Sequence, residues 1–161
     1  MLRSRRRAQT ALEVLFILAI ILAGVVVITS SYTKSSTVTT MDVYVRDAAS
    51  SACDYLNEGV VILDDLHEPL NGVFVYTNYS YAFLSFERLK TVEAGSEVSI
   101  TVNISSVKVF PETERVFMES SIKEYILRYI SSRPNVRRDG DYLYFGGKKF
   151  TIVVKVRGET G

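Results

Sequence analysis

The sequence predicts an α+β protein in which a long N-terminal hydrophobic helix continues into a head domain of mainly antiparallel strands with one covering helix. Three observations predict it. Val14 to Ile28 is an unbroken apolar run. Val98, Ile100, Val102 and Ile104 alternate with polar residues, the period of a strand buried on one face. Met118, Ile122, Tyr125, Ile126 and Tyr129 recur at helical spacing after Pro111, which suits a first helical turn.

The apolar run follows a leader containing Arg3, Arg5, Arg6 and Arg7. Arginines resist translocation, so the leader is expected to stay cytoplasmic while the chain beyond the run is exported. With Ala11 and Leu12 the run approaches the roughly 20 residues that cross a bilayer as a helix. A secretory signal cleaved near Thr29 to Ser31 would share these features, and so would a signal anchor that is never cleaved. Thr10 and Glu13 also fit a capping box, in which hydroxyl and carboxylate satisfy amides of the first helical turn. Capping does not account for the residues in front of it.

Those residues, Arg7-Ala8-Gln9 followed by Glu13, resemble the class III signal peptide of archaeal type IV pilin-like proteins. The family pattern is a basic residue, Gly or Ala, Gln at the first mature position, a small residue at the third and Glu at the fifth. Ala11 stands where Ser is common, and Ile17 where Leu is common. The resemblance covers about 25 residues. It implies that a prepilin peptidase cuts between Ala8 and Gln9, removing a leader of residues 1–8. Residues 9–40 would then form a transmembrane and filament-core helix with a Ser/Thr-rich neck, and 41–161 an extracytoplasmic head. The precursor would sit in the cytoplasmic membrane as a single-pass protein. It would then join other pilin subunits in a cell-surface filament, built by an assembly platform and ATPase and serving adhesion. By the same resemblance, Glu13 would pair with the freed amine of Gln9 on a neighbouring subunit, and Gly24 would allow close helix approach. The alternative is a membrane-tethered exported binding protein that uses the same signal and does not polymerise.

The rest of the chain is enough for one modest domain. Of 19 basic residues four are in the leader, so the remainder carries 15 against 18 acidic ones. Cys53 is the only cysteine, which rules out an internal disulfide and suggests a small buried hydrophobe. His67, beside Asp64, Asp65 and Glu68, reads as part of a solvated acidic turn ending at Pro69 rather than as a metal ligand. Nine of the twelve residues from Thr29 to Thr40 are Ser or Thr, through which the helix is expected to continue with a weak point. Val45, Ala48, Ala52, Tyr55 and Leu56 then mark a helix stopped by Gly59.

Val60 to Leu63, Val73 to Tyr76 and Tyr79 to Phe86 read as strands, with Gly95 and Ser96 turning into the strand at Val98. Asn78 and Asn103 each begin an N-glycosylation acceptor triplet, and Asn103 is expected on its strand's exposed face. Asp139-Gly140 and Gly146-Gly147 are turn signals around Tyr142 to Phe145, before a strand whose Ile152, Val154 and Val156 face inward. Residues 41–132 carry 7 basic and 14 acidic groups, and 133–161 carry 7 and 3, so heads are expected to attract one another in a salt-sensitive way. Arg133, Arg137, Arg138, Lys148 and Lys149 flank Tyr142, Tyr144 and Phe145. This superficially resembles a single-strand nucleic-acid face but reads better as a charged sheet edge, so no nucleic acid is expected. No catalytic constellation emerges, and neither an enzyme nor a cofactor is expected.

Mass spectrometry of the native protein checks the processing expectation. An N-terminus at Gln9 is expected; Met1 would indicate an uncleaved anchor, and a start near Tyr32 a secreted domain.

Overall fold

The computed structural model describes the backbone of residues 2–76 and 83–158, with side chains described for residues 13–28, 36–76 and 83–158. Helix α1 (Leu2–Glu58) is followed by α2 (Glu68–Tyr76), strands β1 (Leu84–Ala94) and β2 (Glu97–Ser106), helix α3 (Glu112–Ser131), and strands β3 (Arg137–Asp139), β4 (Tyr142–Phe145) and β5 (Lys148–Gly158). The chain divides into two units, Met1–Thr37 and Val38–Gly161. The division falls inside the Ser/Thr-rich stretch of α1.

In the second unit, α1 buries Met41, Val45, Ala48, Ala49, Ala52, Tyr55 and Leu56. These recur every three or four residues, and the alanines allow close packing in the shared core. Gly59 ends the helix with φ +67°, a conformation that favours glycine. Asn57 at the helix end then works as a surrogate strand residue. Its Oδ1 accepts from the Leu84 amide and its Nδ2 donates to the Leu84 carbonyl, both at 2.7 Å, tying α1 to the start of β1.

The sheet order is β1-β2-β5-β4-β3. Its centre is the parallel pair β2–β5, in register from Glu97 opposite Lys149 to Ser106 opposite Gly158, while the other neighbouring pairs are antiparallel. A parallel neighbour needs a long crossover. Here α3, β3 and β4 lie between the two strands in sequence. One face of the sheet contributes Val98, Ile100, Val102, Ile104, Phe150, Ile152, Val154 and Val156 to a single core with α1, α2 and α3. Helix α3 adds Met118, Ile122, Tyr125, Ile126, Leu127 and Ile130. Glu119 fastens α3 to the sheet by accepting the Val156 amide at 2.9 Å. Gly158 ends β5 where an added Cβ would come within 2.8 Å of the Val109 backbone, so the chain crosses there only without a side chain.

The expected architecture needs four corrections. First, the sheet is mixed: β3, β4 and β5 form an antiparallel meander, as their turn signals imply, but β5 also joins β2 in parallel. Second, Val73 to Tyr76 belongs to α2, not to a strand. Leu70, Val73 and Phe74 form its buried face, and Tyr76 stacks on Phe117 of α3 at 4.6 Å. Third, Val60 to Leu63 joins no sheet. Its Ile62 amide donates to Tyr55 Oη at 2.8 Å and its Ile62 carbonyl accepts from Asn71 at 2.9 Å, so side chains satisfy the backbone groups that a ladder would need. Fourth, among the described residues no helix is long and apolar enough to cross a membrane.

β1 also extends to Ala94, well beyond the aromatic cluster that announced it. A register shift between Phe86 and Arg88 interrupts its alternation, which hides the strand's period in the sequence.

Ile126 is fully buried, and Val153 lies half-exposed on the other side of the sheet. In urea unfolding, Ile126→Ala should cost about 2–5 kcal/mol and Val153→Ala no more than about 0.5 kcal/mol. Equal costs would contradict the assignment of the core to one face.

Candidate functional site

Unit 1 contains the most unusual surface in the protein. Twelve large apolar side chains between Val14 and Ile28 are each 55% to 72% exposed, and they point to all sides of the helix. A water-soluble helix normally confines such residues to one face; a helix that is apolar all round belongs inside other material. Burying one such side chain is worth roughly 1.5–3 kcal/mol, so the segment as a whole is strongly driven toward apolar neighbours. Gly24 interrupts this surface, and a Cβ there would meet nothing within 4 Å. It leaves a notch where another helix can come close. Glu13 stands at the leading end of the described segment. Arg7, Ala8 and Gln9 lie within the range of α1, but their side chains are outside the described residues.

In the second unit the expected sites separate. Asn78 lies outside the described residues. Asn103 is corrected: it is 7% exposed rather than on an open strand face. It sits across from Arg88 on one neighbouring strand and Lys155 on the other, and its Nδ2 approaches the Arg88 carbonyl at 3.5 Å. Cys53 is buried in the core, and desolvation, with the Asp54 charge behind it, pushes its thiol up to about 12. Such a thiol is unreactive at neutral pH.

In the acidic turn Asp64, Asp65 and Glu68 are exposed, as expected, while the His67 imidazole is packed. Asp64 Oδ1 accepts the His67 amide at 2.7 Å and lies 2.8 Å from its Nδ1. The backbone hydrogen bond from His67 is the main reason that the Asp64 carboxyl is held below its ordinary value. The imidazole lies between Tyr55, at 4.5 Å between ring centres, and Tyr125, at 5.6 Å. Pro69 sits in the first turn of α2, where the acidic turn gives way to helix. Among the described residues no group of three His, Cys, Asp or Glu side chains could hold a metal ion.

Three cations of the tail, Arg138, Lys148 and Lys149, are paired with carboxylates of their own unit. Arg138 holds Glu124 through two contacts of 2.9 and 2.7 Å, and with Arg128 it keeps that carboxyl below the ordinary range. Lys148 is buried against Glu93, and Lys149 reaches Glu97 at 3.3 Å. Lys149 lies over the Tyr142 ring at 4.1 Å, Arg137 over Tyr144 at 4.9 Å, and Arg133 over Tyr129 at 4.6 Å. The two tyrosines of the tail are therefore already covered on one face by cations.

Sequence reasoning missed a different group of cations. Arg88 and Lys90 on β1, with Lys155 and Arg157 on β5, line a shallow hollow with Asn103 and Thr101 of β2 at its floor. These charges lie on strands far apart in sequence, so only the parallel β2–β5 pairing brings them together. No family model, no curated protein and no solved structure matches this chain.

Proposed function

We propose that this protein is a structural subunit of an archaeal type IV pilin-like surface filament. The precursor is held in the cytoplasmic membrane, a prepilin peptidase cuts between Ala8 and Gln9, and the freed subunit is assembled through its N-terminal helix by the platform and ATPase of such a system. The observation that carries this reading is the apolar surface of residues 14–28, exposed on all sides of its helix. A bundle of identical helices buries such a surface completely, without the polar groups that a specific soluble partner would need. The notch at Gly24 suits that packing. The resemblance of Arg7-Ala8-Gln9 and Glu13 to prepilin junctions supplies the route by which the helix would be released.

In a bundle of packed subunits Glu13 would lie where water is excluded. A carboxylate there must be matched by a donor, and the amine of Gln9 on an adjacent copy is the nearest in sequence logic. Its role in assembly is separable from the fold of the second unit, whose core contains none of residues 13–28.

Immunogold electron microscopy of the expressing cell, with antibody to residues 41–158, tests the proposal. Label along fibres is expected, and Glu13→Gln should abolish fibre label while leaving the antigen folded and abundant. Label confined to the envelope in the native strain would instead indicate a tethered binding protein that does not polymerise.

A further inference from the structure

The hollow between β1, β2 and β5 is strongly basic. Among the described residues, Arg88, Lys90, Lys155 and Arg157 are all exposed, and none has an ion pair or side-chain hydrogen bond within the chain. On the opposite side of the same unit, α1 presents Asp47, Asp54 and Glu58, likewise exposed and without a partner among the described residues. Their spacing of seven and then four residues puts all three carboxylates on one stripe of the helix. That stripe faces away from the buried positions Val45, Ala48, Ala52 and Leu56.

We infer that the basic hollow of the sheet docks onto the acidic stripe of α1 on a second copy of the chain. This rests on the filament reading and names the contact between adjacent heads. Two features favour a second copy over another polyanion. The first is size. From strand spacing and rise, the diagonal from Lys90 on β1 to Arg157 on β5 is about 16 Å. The acidic stripe from Asp47 to Glu58 rises about 16 Å along its helix. The second is geometry. The two charged surfaces lie on opposite sides of a helix layer and a sheet, so one chain cannot neutralise itself. A contact between them is head-to-tail, the kind that propagates.

Single-stranded nucleic acid fits less well. Such sites pair a basic groove with open aromatic faces. Here the tyrosines on the same sheet face, Tyr142 and Tyr144, already carry Lys149 and Arg137 against their rings. The surface offers charge without a free stacking platform.

The test uses the full chain in its native cell. Zero-length carbodiimide cross-linking, followed by peptide mapping, should join Lys155 or Lys90 of one copy to Asp47, Asp54 or Glu58 of another. The double variant Lys155→Glu/Arg157→Glu should reduce that product about tenfold, as should Asp54→Lys/Glu58→Lys, and combining the two reversals should restore it. Restoration separates a lost contact from a damaged fold. Cross-links without fibres would support the contact and count against the filament. Fibres without these cross-links, unaltered by either double variant, would overturn the contact and leave the filament standing. Binding of heparin or an oligonucleotide that is lost in Lys155→Glu/Arg157→Glu, with no cross-link between copies, would assign the hollow to an outside polyanion and overturn the inference.

Discussion

The controlling constraint is that α1 must be buried in two different ways. Residues 41–56 are apolar on one face only, rich in alanine, and are covered by a sheet and two helices of their own unit. Residues 14–28 are apolar all round, and their large side chains stay exposed. A single domain can satisfy the first requirement by folding. The second needs other molecules, because burying a helix on every side takes several neighbours at once. The function proposed here follows from that division of labour, with the head folding by itself and the preceding segment requiring company.

Within the head, the parallel β2–β5 pair is what makes the remaining features possible. It brings together residues more than fifty positions apart, such as Asn103 and Lys155, and completes an inner face that α1 and α3 cover. It also places the unpaired cations Arg88, Lys90, Lys155 and Arg157 around one hollow, while Arg138, Lys148 and Lys149 are used locally by Glu124, Glu93 and Glu97. Charge that is already matched inside a domain contributes little to association. Charge left unmatched on an open sheet face is available to steer it.

The sequence made some of this legible, for physical reasons. The stripe in α3 and the alternation in β2 are long, and a long period distinguishes helix from strand. The stop at Gly59 was visible because a left-handed residue favours glycine. Val73 to Tyr76 misled because four apolar residues fit either period, and packing against α3 decided the matter. Val60 to Leu63 misled because its backbone bonds go to Tyr55 and Asn71, which no local pattern reveals. The bulge before Arg88 concealed most of β1. Strand pairing between distant segments leaves no periodic trace, so neither the mixed sheet nor the burial of Asn103 could be read from spacing. The apolar run itself was plain in the sequence; its all-round exposure required the structure.

The most direct test is the environment of the apolar helix in the assembled state. Cys53 is buried with its thiol pushed up to about 12, so a Val26→Cys variant should take a nitroxide label selectively at the new position. The account predicts dipolar coupling between labels on adjacent copies in isolated fibres, with no quenching by a water-soluble paramagnet. Labels that show no coupling and are quenched freely from water would contradict the claim that copies of this helix bury one another.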